Sequence, residues 1–444
     1  MEHDELLGPL YADHHTYLLS LYESLLEETH WDGVILASGC AAAKFGDDQC
    51  HPFRVSPGYR QWVPCGDHES SYLVIRPGHR PRLICHQPED YWHVSPTPPS
   101  GPWTDHFDLS CVPTRVAAAE ALPGRLSGWA FIGEPTADLR AKDFGGVNPQ
   151  GLVSALNFHR TVKTPYEVEC MRRANRIAAA GHRAALAAFR ADKSELDAHL
   201  AYMAATRQTE TRLPYANIVA FNEHGATLHY DVFDSEPPPE SLSFLIDAGA
   251  DYLGYAADIT RTHAATDGLF SDLTEQLDEA QRCLISSIEI GMSYVDLHVA
   301  MHLSIAGLLK RFMIVDMSPE AMLESGLSSA FFPHGLGHHI GLQVHDVGGK
   351  ISDPAGRVID QPSSFPFLRN LRPVSVGNVF TIEPGIYFIG QLLQPLRSKA
   401  EGSAINWDLV SELMPCGGIR IEDDVYVSES GPENLTRDAF ASLR

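Results

Sequence analysis

Basic residues are scarce in this sequence of 444 residues. Lys and Arg together number 33 against 57 Asp and Glu, which leaves a formal net charge of -24. A surface with this balance repels nucleic-acid backbones and anionic membranes alike. We therefore expect neither nucleic acid nor a membrane as a partner.

Long apolar runs and closely spaced cysteines are also missing. There is no run of eighteen apolar residues, and the N-terminal "MEHDELLGPLYADHH" lacks the basic start and apolar stretch of a signal peptide. The eight cysteines form no Cys-x-x-Cys pair, so neither a disulfide framework nor a zinc ribbon is indicated. We expect a cytoplasmic protein with reduced thiols.

The length and the texture of the chain predict two domains, because one core stops growing below this size. Residues 1–160 alternate short apolar runs with helical periodicity, which favours an α/β domain. Thr164 as N-cap, Pro165 at the first helical position and Glu167 three residues after the cap predict the start of a long helix. Residues 161–444 continue with further helices and apolar strands, typical of an α+β domain.

Two aspartates in "SFLIDAGADYLGYAADITRT" are the first candidates for a metal site. Asp247 and Asp258 lie symmetrically about a point between Tyr252 and Leu253. If they face each other across a hairpin, their Cβ atoms are roughly 4.5 to 5.5 Å apart and the carboxylates repel unless a cation lies between them. Two ions about 3.5 to 4 Å apart suit this spacing. The alternative is that one aspartate caps a turn and the other faces water.

Two later strands each place a glutamate among apolar neighbours. Glu383 lies in "VFTIEPGIYF", and Pro384 after it cannot donate to a sheet ladder, so we expect the strand to stop at this carboxylate. In "GIRIEDDVYV", alternation places Arg420 and Glu422 on one face and the neighbouring isoleucines on the other.

Four histidines lie close together in "FFPHGLGHHIGLQVHDVGG". The three glycines among them disfavour a helix, so His334 and His338 are not predicted to form a helical zinc pair. Period-two geometry puts His338 and His339 on opposite faces, so at most one of them reaches a given ion. We expect His345 to bind substrate or to transfer a proton.

A second histidine pair has the spacing of a zinc site. His298 and His302 lie four residues apart in a predicted helix, but the sequence "HVAMH" lacks the glutamate of the His-Glu-x-x-His motif and a third ligand nearby. We expect no metal there.

Taken in order, "DAGADYLGYAADITRT", "PHGLGHHIGLQVHD", "TIEPGIYF" and "GGIRIEDD" resemble the dinuclear metallopeptidases of the pita-bread fold, which include prolidase and aminopeptidase P. "LPYANIVAFNEHGATLHY" and "NFHRTVKTPYEVECMRRAN" make the chain more similar to the bacterial prolidases. The resemblance covers nearly the whole chain. It implies an α/β N-terminal domain over 1–160 and a catalytic pita-bread domain over 161–444.

The resemblance also implies a metal centre and a reaction. It assigns two divalent ions, manganese first and zinc, cobalt or iron as alternatives, and it implies that a hydroxide bridging them attacks the carbonyl of an Xaa-Pro dipeptide with Glu383 as general base. Asp258 and Glu422 are expected to bridge both ions. The implied metal ligands are Asp247, Asp258, His338, Glu383 and Glu422.

Roles around the substrate are implied in the same way. His229, His334 and His345 match positions that orient the substrate carbonyl and stabilise the intermediate, where one such donor contributes about 3 kcal/mol. Tyr215 resembles a tyrosine that lines the pocket.

Two arginines and one aspartate complete the implied site. Arg369 resembles an arginine that binds the C-terminal carboxylate of the dipeptide, although Arg372 lies only three residues away. Arg420 is expected to support Glu422. Related enzymes pair as homodimers, in which Asp48 is expected to help close the partner's pocket.

Three other functions stay open from the sequence. One is an organophosphorus acid anhydrolase side activity, and a second is an aminopeptidase P-like cleavage of longer peptides. The third is a pita-bread binding module without catalysis, against which all five implied ligands argue.

Overall fold

The computed structural model describes residues 7–65, 68–136, 138–140 and 142–443. They divide into two compact units. The first takes in the described residues up to Arg160 with Thr164–Glu169 and Asp353–Arg357, and the second takes in Thr161–Lys163, Cys170–Ser352 and the described residues from Val358 onward. Within the described part of the chain, no helix is both long and apolar enough to cross a membrane.

The first unit is built on a six-stranded mixed sheet. The strand order is β4-β3-β2-β1-β5-β6, with antiparallel pairs β1–β2 and β2–β3 and parallel pairs elsewhere. Helices and sheet together make it an α/β unit, as the alternating pattern predicts. Its elements are α1 (Leu7–Glu28), β1 (Gly33–Ala37), α2 (Pro57–Arg60), β2 (Tyr72–Ile75), β3 (Arg82–His86), β4 (Asp108–Val112), α3 (Arg115–Glu120), β5 (Trp129–Ile132), β6 (Gly146–Val147) and α4 (Gln150–His159).

The remaining elements belong to the second unit, except that the first turn of α5 is grouped with the first unit. They are α5 (Pro165–Phe189), α6 (Glu195–Thr206), β7 (Ile218–Phe221), β8 (Ser243–Asp247), β9 (Asp251–Tyr252), β10 (Tyr255–Ala256), β11 (Thr260–Ala264), α7 (Leu269–Ser286), α8 (Tyr294–Arg311), α9 (Pro319–Glu324), α10 (Leu327–Phe331), β12 (Val379–Ile382), β13 (Gly385–Tyr387), α11 (Gly390–Leu393), α12 (Trp407–Leu413), β14 (Gly418–Arg420), β15 (Asp423–Ser428), β16 (Gly431–Asn434) and α13 (Leu435–Ser442).

The start of α5 is the one that the sequence predicts. The Thr164 amide donates to Glu167 Oε2 at 2.8 Å, and the Glu167 amide lies 3.5 Å from Thr164 Oγ1. These reciprocal contacts satisfy two N–H groups that a helix start leaves without partners.

Two neighbouring strands of the second unit are interrupted at the same point along their length. The gap between β12 and β13 contains Glu383, and the gap between β14 and β15 contains Glu422. β12 pairs with β15 and β13 with β14 in one continuous antiparallel register, so Glu383 lies opposite Glu422. Their amides bond outward instead, Glu383 to the carbonyl of Leu336 at 2.8 Å and Glu422 to the carbonyl of Thr260 at 3.0 Å. The breaks therefore bring two carboxylates together in the middle of a sheet.

The hairpin register differs from the expected one. β8 and β11 pair Asp247 with Thr260, not with Asp258. The turn is centred between Leu253 and Gly254, which both have positive φ, 53° and 92°. Two such residues form a tight two-residue turn, and the hairpin centre therefore lies one residue later than symmetry about the aspartates requires. Asp258 is diagonal to Asp247 on the same face, a relation in which Cα atoms lie roughly 7 to 8 Å apart.

Candidate metal centre

One cavity of the second unit collects most of the predicted site residues. Its volume is about 430 Å³. Three apolar side chains, Leu228, Phe367 and Leu392, contribute to its wall. The predicted residues that line it are His229, Asp247, Asp258, His334, His338, His345, Arg369, Glu383, Arg420 and Glu422.

Three buried side chains form the centre of the group. Possible ligand atoms of Asp258, His338 and Glu422 all lie within 4.8 Å of one another. His338 Nε2 is 3.4 Å from Asp258 Oδ2 and 3.8 Å from Glu383 Oε1. His338 Nδ1 lies 3.0 Å from the carbonyl of His339, which can only accept, so Nδ1 donates and Nε2 faces the carboxylates.

Burial and neighbouring charges shift the pKa values of most side chains in this group. Burial first, and neighbouring carboxylates second, raise the pKa of Glu422 well above its usual range. Burial likewise raises the pKa of Asp247, and it raises that of Glu383 to about 7. Burial alone lowers the pKa of His338, but the hydrogen bond with Asp258 and the charge of Glu383 outweigh it and raise this pKa to about 9.

This donor set fits a hard or borderline divalent ion. Carboxylate oxygens dominate it and one imidazole nitrogen is included, which suits manganese, iron, cobalt or zinc. A divalent cation would also offset the repulsion that buried like charges otherwise create.

Arg420 contacts Asp247 as well as reaching the expected Glu422. Its Nη2 donates to Asp247 Oδ2 at 2.8 Å, while its Nε lies 3.2 Å from Thr260 Oγ1. Thr260 in turn donates to Glu422 Oε2 at 2.8 Å. Arg420 therefore orients Asp247 directly and reaches Glu422 through Thr260.

Tyr215 also contacts a carboxylate. Its hydroxyl donates to Asp247 Oδ1 at 2.7 Å, and it is not among the described residues that line the cavity. Both oxygens of Asp247 are therefore held, one by Tyr215 and the other by Arg420.

Two of the candidate histidines are held neutral at the cavity wall. Burial first, then the nearby charge of Arg420, lowers the pKa of His334 to about 3. Burial and the charge of His338 lower the pKa of His345 to about 4, and the two rings are 4.5 Å apart. His334 Nδ1 donates to the carbonyl of Gly335 at 2.8 Å, so its Nε2 accepts from the hydroxyl of Tyr387 at 3.0 Å.

Arg369 and Arg372, which lie three residues apart in sequence, have different surroundings. Arg369 lines the cavity, whereas Arg372 is buried and donates to Thr161 Oγ1 at 2.9 Å. Of the two, Arg369 is the one that a substrate in the cavity can contact.

The histidine pair of α8 is part of the core. His302 Nε2 lies 3.2 Å from His298 Nε2, and His302 Nδ1 lies 3.0 Å from Ser328 Oγ. Burial, as the largest effect, lowers the pKa of His298 to about 2 and that of His302 to about 4. The pair packs against Phe332 and Phe365 as a polar contact inside an aromatic cluster.

Two family models match this chain, and together they span most of it. Residues 9–158 match the model described as "Xaa-Pro dipeptidase, N-terminal domain". Residues 169–429 match "Metallopeptidase family M24". The chain belongs to metallopeptidase family M24.

Curated relatives in this family align over nearly their whole length. The chain is 46% identical over 437 residues to the Xaa-Pro dipeptidase of Xanthomonas campestris pv. campestris strain 8004, covering 98% of this chain and 99% of the relative. It is 45% identical over 438 residues to Xaa-Pro dipeptidase 2 of Idiomarina loihiensis, with the same coverage. The resemblance to prolidases is confirmed.

Solved structures confirm the fold class. Escherichia coli aminopeptidase P with the inhibitor Pro-Leu superimposes with a TM-score of 0.72 at 21% identity, covering 97% of this chain and 95% of that one. Zinc-substituted aminopeptidase P of the same organism superimposes with a TM-score of 0.70 at 20% identity, covering 98% and 99%. The catalytic part of this M24 member is therefore a pita-bread domain, preceded by an α/β domain.

The sequence analysis missed two residues that contact the candidate site residues. Thr260 lies two positions after Asp258, and Tyr387 lies four positions after Glu383, so period-two geometry puts each on the face of its carboxylate. Tyr387 is fully buried, and its hydroxyl accepts from Arg420 Nη1 at 2.8 Å. If the two-residue periodicity had been followed beyond Asp258 and Glu383 along each strand, it would have indicated both Thr260 and Tyr387.

Thr260→Val is expected to weaken metal binding about 10- to 100-fold, because losing a partner that orients a ligand has this effect. The substitution keeps the shape of the side chain and removes the donor to Glu422. Metal affinity is measured by titrating chelator-stripped protein. Thr274→Val on α7 is the control, since Thr274 Oγ1 donates to the carbonyl of Phe270 within its own helix. Equal affinities of the two variants would contradict the role of Thr260.

Proposed function

We propose that this protein is a metal-dependent dipeptidase that hydrolyses Xaa-Pro dipeptides. The observation that carries the proposal is one cavity lined by the acidic cluster, by histidines and by Arg369. The full-length similarity to proteins named Xaa-Pro dipeptidase supports the same substrate class.

We further propose that two divalent ions, manganese by preference, are held by Asp247, Asp258, His338, Glu383 and Glu422. The cluster of buried carboxylates around one imidazole supports this ligand set. When bound, such ions polarise a carbonyl and lower the pKa of water.

The chain's own residues supply the proton transfer. In hydrolysis the water oxygen bonds to the carbonyl carbon, the C–N bond breaks, and a proton must move from the water to the proline nitrogen. Glu383 is a carboxylate that lines the cavity beside the acidic cluster, and it is suited to accept that proton and pass it on.

Histidines of the cavity wall are suited to the developing negative charge on the carbonyl oxygen. His345 lines the cavity, and its pKa is lowered to about 4, so at neutral pH it offers an N–H without a full charge. We propose that His229 and His345 bind this oxygen, while His334 holds Tyr387 beside Arg420.

Arg369→Ala is expected to raise KM for a dipeptide about 10- to 100-fold, as losing a charged hydrogen-bonded contact to the C-terminal carboxylate predicts. The kcat should change less. Steady-state kinetics with Ala-Pro measure both. Arg282→Ala, which removes an exposed arginine of α7, is the control. An unchanged KM would reject the carboxylate contact.

The test of the function is proline release from Ala-Pro, and alanine release from Ala-Pro-Ala, by chelator-stripped protein with and without manganese. Cleavage of the dipeptide alone, restored by manganese, is the expected result. Cleavage of the tripeptide at Ala-Pro would indicate an aminopeptidase P-like enzyme. No cleavage of either peptide would favour a binding module.

We also propose a cytoplasmic homodimer. Exposed aromatic residues of the first unit, Phe45, Tyr91 and Trp92, support a contact with a second copy of the chain. Asp48 is exposed on the same loop as Phe45, and its closure of a partner's pocket stays a prediction.

A further inference from the structure

Glu195 is a buried carboxylate at the first position of α6 that the proposed mechanism does not use. Its side chain is 2% exposed. With His224 and Asp234 it forms a group whose possible ligand atoms lie within 4.8 Å of one another. Its oxygens, however, are already engaged by hydrogen-bond donors of the chain.

Four donors converge on this carboxylate. Oε1 accepts from the amide of Phe221 at 2.7 Å and from His224 Nδ1 at 2.8 Å. Oε2 accepts from the hydroxyl of Tyr230 at 2.8 Å and from the amide of Asp234 at 2.9 Å. An ionised carboxyl group only accepts, so it matches four donors, and the group needs no ion.

These donors come from one segment, and they lie on both sides of His229. The part from 227 to 233 belongs to no helix or strand. The rings of His224 and Tyr230 stack at 4.6 Å between centroids, which ties the two sides of the segment to each other. Glu195 therefore joins the two ends of the segment through hydrogen bonds.

His229 depends on this arrangement for its position. It lines the cavity together with Leu228, and its side chain is exposed. In the part of the chain that the structure describes, the His229 ring makes no hydrogen bond that would orient it. Its place in the cavity wall is therefore set by the backbone on either side.

We propose that Glu195 is a positioning residue for His229: it holds the segment from Phe221 to Asp234 so that this imidazole reaches the substrate carbonyl. The inference rests on the proposed dipeptidase function and adds a residue outside the cavity to it. A misplacement of about 1 Å is enough to lower catalysis about 100-fold.

Glu195→Gln tests this with almost no change of shape. An amide nitrogen replaces one oxygen, so in either orientation it faces two donors, and the amide of Phe221 or Asp234 loses its acceptor. We expect kcat for Ala-Pro to fall roughly 10- to 100-fold with bound manganese unchanged. Glu210→Gln is the matched control: Glu210 accepts from His199 of helix α6 at 2.6 Å and donates nothing to the four-donor group, and the link to the segment is only the stacking of His199 on Phe233.

A double-mutant cycle distinguishes an effect of Glu195 on the position of His229 from a general loss of structure. If Glu195 acts through His229, Glu195→Gln lowers kcat in the wild-type background and has little further effect in His229→Ala. The same fold-loss in both backgrounds, or full activity of Glu195→Gln, would overturn the proposal. Tyr230→Phe, which removes one donor and keeps the ring, is expected to give a smaller loss and serves if Glu195→Gln does not fold.

Amide hydrogen exchange gives a readout that does not depend on activity. Faster exchange over residues 222–234 in Glu195→Gln than in Glu210→Gln is expected. Equal exchange would overturn the proposal even if the wild-type protein did not cleave Ala-Pro. If the wild-type protein did not cleave Ala-Pro but the expected difference in exchange were observed, the dipeptidase function would be rejected. The finding that Glu195 holds the segment would stand.

Discussion

Asp247→Ala is expected to lower kcat/KM for Ala-Pro by more than about 100-fold and to reduce the bound metal. Replacing a residue that only orients a metal ligand already lowers metal affinity or activity about 10- to 100-fold, and Asp247 is a proposed ligand itself. Its removal also leaves Nη2 of the buried Arg420 without its 2.8 Å contact. Activity assays and metal analysis of the purified variant measure the two effects.

The matched control for this change is Asp251→Asn. Asp251 lies in the same hairpin, where its Oδ1 accepts from the amide of Gly254, and it does not line the cavity. Asparagine keeps that oxygen, so activity and metal content should stay near the wild-type values. Full activity and normal metal content in Asp247→Ala would remove Asp247 from the site.

Glu383→Gln is expected to have opposite effects on activity and on the stability of the stripped protein. Activity should fall by more than about 100-fold, because an amide cannot accept the proton from water and is a weaker ligand. The metal-free protein should melt a few degrees higher, because one of several buried carboxylates in mutual repulsion becomes neutral.

Both effects are measured on the same preparation. Thermal unfolding of chelator-stripped protein is compared with peptidase activity after manganese is added back. Glu412→Gln on the surface of α12 is the control, since this side chain is exposed and should change neither quantity. A lower melting temperature of stripped Glu383→Gln would show that the acidic cluster is not under repulsive strain.

Local patterns predicted the start of α5 and much of the strand structure of the second unit. The helix start at Thr164 follows from capping chemistry, and the break after Ile382 follows from Pro384, which cannot donate to a neighbouring strand. Alternation correctly separated Ile421, in the core, from Glu422, in the cavity.

The errors come from contacts between segments that are distant in sequence or from turn geometry. The hairpin register was wrong because Leu253 adopts positive φ, which few residues of its type do, so the turn begins one residue later than expected. Tyr215 was expected only to line the pocket and Arg420 to support Glu422. Both side chains instead converge on Asp247 from separate segments, and Arg420 reaches Glu422 only through Thr260.

By itself, the sequence determined the type of chemistry, because carboxylates and an imidazole among apolar strand residues define a cation site whichever way the strands pair. Only the tertiary structure decided which atoms meet. The opposition of Glu383 and Glu422 depends on the pairing of strands about forty residues apart, and the hold of Glu195 on the segment around His229 depends on four donors that no local pattern relates.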